Sequence, residues 1–246
     1  MKNPFSRYCH ILFFFSILFT AQGQQPYFKI DTLTLKPEGL SFPILNNAAD
    51  SSACRKINHV LQLSELHLLF GQQKKNAFEK ITSKKANHYV SGMSFKIATN
   101  NSRMFSVSFS ESGDPIVEWW STYYNFNSVN GSTITLSNLF NVKGYADFKK
   151  MVNEQRTSQL LKFLNSGKDF IVVNYKQQLL DNFQKDDLSH FIMKDSSVVI
   201  YLNGMSVNKY DFLYLKNNIV GIINLSEFRN LLNEYGKSLF GIIEGK

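Results

Sequence analysis

Hydrolytic, metal-dependent and nucleophilic chemistry each need side chains at particular spacings, and this chain of 246 residues offers few of them. His59, His67, His88 and His190 are the histidines beyond residue 23, and none has the i, i+4 histidine partner that a helical metal site uses. His59 and His67 are eight residues apart, more than two helical turns, so one ion does not bridge them. Asp186-Asp187 is a vicinal acidic pair. A glycosidase needs two carboxylates facing one bond from opposite sides, which neighbours rarely achieve. A helix N-cap is the simpler reading of either aspartate. Asp195 and Glu118 are single carboxylates; gathering them with Asp186 and Asp187 in one cleft would favour an enzyme, and scattering them a binder. There is no G-x-S-x-G elbow, P-loop or G-x-G-x-x-G phosphate loop. No catalytic residue, cofactor or metal is expected.

Residues suited to binding are better represented. Over residues 116–128, one parity carries Ile116, Glu118, Trp120, Thr122, Tyr124 and Phe126, and the other Val117, Trp119, Ser121, Tyr123 and Asn125. Aromatics on both faces of a strand imply either cover on both sides or an exposed row serving as a platform. The more apolar row places Trp120 in the core. The more polar row makes Trp119 and Tyr123, with Glu118 beside them, the candidate ligand-binding residues. A second candidate is anion binding by Lys74, Lys75, Lys84 and Lys85, set against a lone Glu79, although a solvated lysine face is the commoner use of such a run. Cys54, flanked by Arg55-Lys56, has no sequence partner that completes a nucleophile pair and reads as a small buried residue.

The start of the chain reads as an address. Lys2 and Arg7 precede an apolar run over residues 11–19, and Ala21-Gln22-Gly23 sets small residues at the −3 and −1 positions of a cleavage site. Nine apolar residues rise about 14 Å as a helix, roughly half a bilayer core. The expectation is an exported protein beginning near Gln24, without a transmembrane segment. Removal of residues 1–23 takes Lys2 and Arg7 away and lowers the net charge from +8 to +6. Charged residues at 19% and aromatics at 14% exclude intrinsic disorder, and two cysteines cannot make a disulfide-rich scaffold.

The elements that must position these residues follow from periodicity. Strands are expected over residues 27–35 and 40–45, the second near an edge because of Pro43. A helix follows from Asp50-Ser51-Ser52 to about Leu69, with Ile57, Val60, Leu61 and Leu68 as its apolar stripe. Period-two alternation over residues 89–136 implies an antiparallel meander turning at Asn100-Asn101, at residues 110–115 and at Asn130-Gly131, with residues 133–136 returning as a strand. Helices are expected over residues 145–164 and 175–183, then short strands at 191–193, 198–202 and 219–223. Residues 203–218 read as polar and irregular. Asn224-Leu225-Ser226-Glu227 opens a last helix as a capping box. The fold class is α+β, an antiparallel meander sheet with packed helices.

Several of these stretches carry a resemblance. Ile57-Asn58, Met104-Phe105-Ser106-Val107-Ser108-Phe109 and the run from Tyr124-Asn125-Phe126-Asn127 through Asn130-Gly131-Ser132-Thr133 to Leu136-Ser137-Asn138-Leu139-Phe140 resemble the RsiV C-terminal (PdaC-like) envelope domain family, with its "nFd…tGk..tL.dlF" signature. Phe191-Ile192-Met193, Val198-Val199-Ile200-Tyr201 and Ile222-Ile223-Asn224-Leu225-Ser226-Glu227-Phe228 are similar to its closing strands and helix. The resemblance divides the chain into a signal segment (1–23), N-terminal strands and helices (24–100) and an α+β domain (101–240). It implies an extracytoplasmic protein. In the family, the domain binds lysozyme in an anti-sigma factor and elsewhere precedes a peptidoglycan deacetylase. This sequence has neither the deacetylase domain nor a signalling transmembrane helix. It carries Trp119-Trp120-Ser121-Thr122 where many members have Gly-Ala-His. Its +6 charge opposes binding of basic lysozymes. The leading expectation is an exported, non-catalytic binding module of the bacterial cell envelope, with an envelope protein or cell-wall glycan as partner and no nucleic acid. The alternatives are a hydrolase or accessory factor acting on cell-wall glycan, and a lipid- or anion-surface protein using the lysine run.

Overall fold

The fold is given by a computed structural model that describes residues 27–36, 39–46, 51–69, 71, 76–83, 89–113, 118–167, 170–203 and 209–242. The expected signal segment lies outside them. The first sheet runs β1 (Lys29–Leu35), β2 (Leu40–Asn46), β3 (Gly92–Asn100), β4 (Met104–Gly113) and β5 (Glu118–Asn127), in that spatial order. All neighbours are antiparallel except β2 and β3, which meet in parallel at Leu40 and Met93. The crossover between those two strands holds α1 (Ser51–Leu66) and the single turn α2 (Glu79–Thr82). Pro43 pairs with Thr32 and stands away from that one contact with β3, so its missing N–H removes no bond to β3.

Alternation decides which face of this sheet is covered. Phe105, Val107 and Phe109 of β4 are fully buried, and with Phe42, Ile57, Leu61 and Phe126 they make a core between sheet and α1. The other parity of β4 is the buried Met104, then Ser106, Ser108, Ser110 and Ser112. The turn expected near residue 100 joins β3 to β4, two strands of this one sheet.

The second sheet is β6 (Phe191–Lys194), β7 (Ser197–Ile200) and β8 (Gly221–Asn224), antiparallel throughout. It packs with α3 (Val142–Ser166), α4 (Phe170–Lys185), α5 (Lys209–Asn218), the short α6 (Leu225–Phe228) and α7 (Glu234–Phe240). Asn141 caps α3 by accepting from the Gly144 N–H at 2.8 Å. Phe148 and Val152 on α3 face a second core around Met193, Val198 and Phe228, while Leu160 joins a third with Val172, Leu179 and Leu215.

The two sheets meet through side chains. Asn125 of β5 donates to the Phe191 carbonyl at 3.0 Å and accepts from the Met193 N–H at 2.8 Å. Thr99 donates to the Met193 carbonyl at 3.0 Å. Part of the cover on the second face of β5 thus comes from a sheet edge.

Three expectations differ from the structure. Residues 133–136 do not return as a strand: one bridge, Phe126 to Thr133, precedes a 3₁₀ turn at Leu136–Leu139. Gly131 is the reason. It has φ +71° and lies so close to α1 that a Cβ would be 2.8 Å from the Ala53 carbonyl oxygen, so the chain is drawn onto the helix. Residues 209–218 form α5 instead of an irregular stretch, held by Leu215 against the third core. The capping box at Asn224 forms, its Glu227 carboxylate accepting from the Asn224 N–H at 2.8 Å, yet it opens a single turn.

Candidate functional site

A cleft of about 430 Å³ opens beside β5, between the segment at residues 133–137 and the connection from α4 to β6. Tyr123, Thr133, Thr135, Ser137, Tyr145, Asp187 and Ser189 give it hydroxyls, two tyrosine rings and one carboxylate, over an apolar floor that includes Ile134 and Phe191. Each wall has a local cause. Gly131 throws residues 133–137 back along β5, with the Ile134 N–H donating to the Asn125 carbonyl at 2.7 Å. Asp186 and Asp187 accept from the Leu188 and Ser189 N–H groups at 2.9 Å, and Leu188 takes φ +57°, which turns the chain into β6. Tyr145 on α3 donates to the Asp187 carbonyl at 2.9 Å. Burial, then the charges of Asp187 and Asp186, push the Tyr145 hydroxyl pKa up. The Asp187 carboxyl is held below its usual range by the Ser189 hydroxyl and N–H.

Tyr123 is the sequence-expected binding residue that this cleft includes. Its ring is stacked on Tyr201, centroids 4.4 Å apart and planes within 9°. His190 meets it edge-on at 6.0 Å, and the Lys216 ammonium lies 5.9 Å from its centroid. One face of the ring is therefore taken up inside the protein, and Tyr123 is half of a tyrosine pair rather than an open platform. Burial pushes both tyrosine pKa values up, so both hydroxyls remain protonated donors.

The other candidates either lie outside the described residues or are absent from this lining. Backbone register pairs Trp119 with Ser112 and Glu118 with Gly113, while their side chains lie outside the described residues. Lys74, Lys75, Lys84, Lys85 and His88 also lie outside them. Trp120 packs against the first core half-buried, and its indole N–H donates to Glu111. Asp186 is not a helix N-cap: it follows the end of α4 and accepts from Arg156 at 2.7 Å in a buried ion pair. Asp195 accepts from the Asn101 amide at 2.6 Å. Asp187 alone of these aspartates lines the cleft. His67 lies beyond the end of α1 at φ +53° rather than within the helix. Cys54 is buried, its thiol donating to the Leu45 carbonyl at 2.9 Å. Among the described residues no group of three or more His, Cys, Asp or Glu side chains is placed to hold a metal ion, and no helix is long and apolar enough to cross a membrane.

The sequence reading missed a second carboxylate pair. Glu65 of α1 and Glu111 of β4, 5% and 3% exposed, approach each other under the first sheet. Glu65 accepts from Thr122 at 3.0 Å and from the Tyr124 hydroxyl. Burial, then hydrogen bonding to and repulsion by Glu111, push the Glu65 pKa up to about 8. The visible signal was position: Glu111 continues the apolar parity of Phe105, Val107 and Phe109, and Glu65 continues the stripe of Ile57 and Leu61.

No protein-family model matches the chain, and no curated protein matches it in sequence. Among solved structures, it is similar to a DUF3298 family protein from Pseudomonas aeruginosa PAO1, at 10% identity and a TM-score of 0.50. The match covers 90% of this chain and 98% of that one. DUF3298 is the domain found in PdaC- and RsiV-like proteins. The likeness is one of fold: an α+β architecture shared with a member of that domain family.

Proposed function

We propose that this chain is an exported, non-catalytic binding module of the bacterial cell envelope, and that the cleft beside Tyr123 takes a cell-wall glycan. The observation that carries the reading is the lining. Two tyrosines flank a set of hydroxyls and a single carboxylate, Asp187, which is the chemistry that grips the rings and hydroxyls of a sugar. Binding without turnover is supported by the same geometry. Glycosidic cleavage needs a second carboxylate across the bond, and Asp186 is committed to Arg156. Export rests on the basic, apolar and small-residue pattern of residues 1–23.

Calorimetric titration with soluble peptidoglycan fragments tests the reading. Fragments should bind the native chain, Tyr123→Ala should weaken binding at least about tenfold, and no new reducing ends should form. Absence of binding sinks the glycan ligand. Release of reducing ends converts the protein into a hydrolase. Intact mass of the exported protein should correspond to a chain starting at Gln24.

A further inference from the structure

A second groove, of about 580 Å³, lies where α1 meets the turn at Gly131. Ser52, Arg55, Lys56, His59 and Val60 form its helical wall, and Gly131, Ser132 and Thr133 complete it. The helical members recur at i, i+3, i+4, i+7 and i+8, so α1 presents them along one stripe. Its other stripe, Cys54, Ile57 and Leu61, is buried in the first core, which fixes the basic one outward. The lining combines a guanidinium, an ammonium and an imidazole with three hydroxyls. Among its described residues there is no aspartate or glutamate, and such a concentration of donors attracts anions.

The turn that completes the groove is fixed in place. The Lys56 ammonium donates to the Asn130 carbonyl at 3.2 Å. The Ser132 N–H donates to the Asn130 side chain at 2.9 Å, and the Gly131 N–H to the Asn127 carbonyl at 2.8 Å. Gly131 sits so near α1 that a Cβ there would be 2.9 Å from that of Lys56. A wall held this firmly needs little ordering when a ligand arrives. Thr133 also lines the cleft beside Tyr123, so the two cavities adjoin at that residue.

We propose that the groove between α1 and Gly131 binds a phosphoryl group carried by an anionic ligand. The inference goes beyond the glycan reading and does not depend on it. A planar guanidinium fork, a compact ammonium and several hydroxyls match the three terminal oxygens of a phosphate better than the two oxygens of a carboxylate. A free phosphate would fill little of such a groove, so the group that carries it rests there too, beside Val60. That carrier is a sugar, which Thr133 connects to the neighbouring cleft, or a lipid headgroup. The chemistry recognised is the same.

Calorimetric titration of the native chain tests the groove with two pairs of probes. One pair is N-acetylglucosamine 1-phosphate and N-acetylglucosamine, the other glycerol 1-phosphate and glycerol. In at least one pair the phosphorylated member should bind about tenfold or more tightly. Tighter binding of the sugar phosphate assigns the carrier to a saccharide, and tighter binding of glycerol 1-phosphate assigns it to a lipid headgroup. The double variant Arg55→Gln, Lys56→Gln should lose that advantage and melt close to the native chain, because both side chains are exposed. The control Lys162→Gln, Lys176→Gln removes the same charge from exposed positions on α3 and α4 and should keep the advantage. No advantage for either phosphorylated probe overturns the proposal. An advantage that survives Arg55→Gln, Lys56→Gln places the phosphate elsewhere, and an equal loss in both double variants reduces it to net charge; either result overturns the groove.

Discussion

The protein buries acids in two places and manages them by different physics. At the seam between the second and third cores, Asp186 faces Arg156, both side chains essentially inaccessible, at 2.7 Å. The guanidinium also donates to the Tyr201 carbonyl at 2.8 Å and lies 5.6 Å from the Phe183 ring centroid. In the first core, Glu65 sits beside another carboxylate, Glu111, and is surrounded by neutral donors from Thr122 and Tyr124. The first site neutralises charge with charge and is set once. The second neutralises it with a proton, and a proton leaves when the pH rises. The Glu65 site therefore responds to mild alkali.

Breaking the opposite-charge site should have the largest effect. Arg156→Met leaves Asp186 buried without its cation and should cost about 3–5 kcal/mol of stability in urea unfolding. Adding Asp186→Leu should restore most of it. A loss below about 1 kcal/mol for the single change would show that solvent reaches the seam. Next, Trp120→Ala removes packing from the first core and takes the indole N–H from Glu111, for an expected loss of about 3 kcal/mol.

The pH dependence sharpens the contrast. Below about pH 4.5 Glu65 is protonated in both folded and unfolded chains and favours neither. Between there and about pH 8 the unfolded chain releases the proton while the folded chain keeps it, so folding stability falls as pH rises. Above about pH 8 both states are ionised and the penalty is constant. The native chain should lose about 2 kcal/mol or more across that window, and Glu65→Gln should flatten the profile. An unchanged slope in Glu65→Gln would assign it to another group. The smallest expected effect is no effect. Asp186, Glu65 and Glu111 are all buried and offer no charge to a partner, so a basic lysozyme meets a basic surface. A sub-micromolar Kd at physiological salt would overturn this.

What was legible in the sequence was whatever has a short period. The β3–β4 hairpin, the core parity of β5 and the helices α1, α3 and α4 follow from spacings of two and of three to four. The resemblance motifs prove mainly structural. Asn125 bonds to β6, the Asn127 side chain accepts from the Val129 N–H at 2.9 Å, and Gly131 makes a close approach to α1. Hidden were the charged residues in apolar register: Glu65, Glu111 and Arg156, the last in step with Phe148, Val152 and Leu160. Each looks like a surface residue by type and a core residue by position, and position governs. Its partner lies 46 residues away for Glu65 and 30 for Arg156, beyond the reach of any local motif. Helix α5 was hidden for another reason, since Tyr210, Phe212 and Tyr214 mimic the alternation of a strand.

The grip of Asn125 and Thr99 on β6 has a bearing on how the protein behaves at high concentration. β6 is the outer strand of a three-stranded sheet, and such a margin exposes a row of amide donors and acceptors that invites a foreign chain to lie alongside. Here the outward groups of Phe191 and Met193 are already claimed by side chains that no incoming backbone can displace without leaving its own polar atoms stranded. The asparagine thus acts as a gatekeeper against fibre-like self-association, a hazard that grows with concentration.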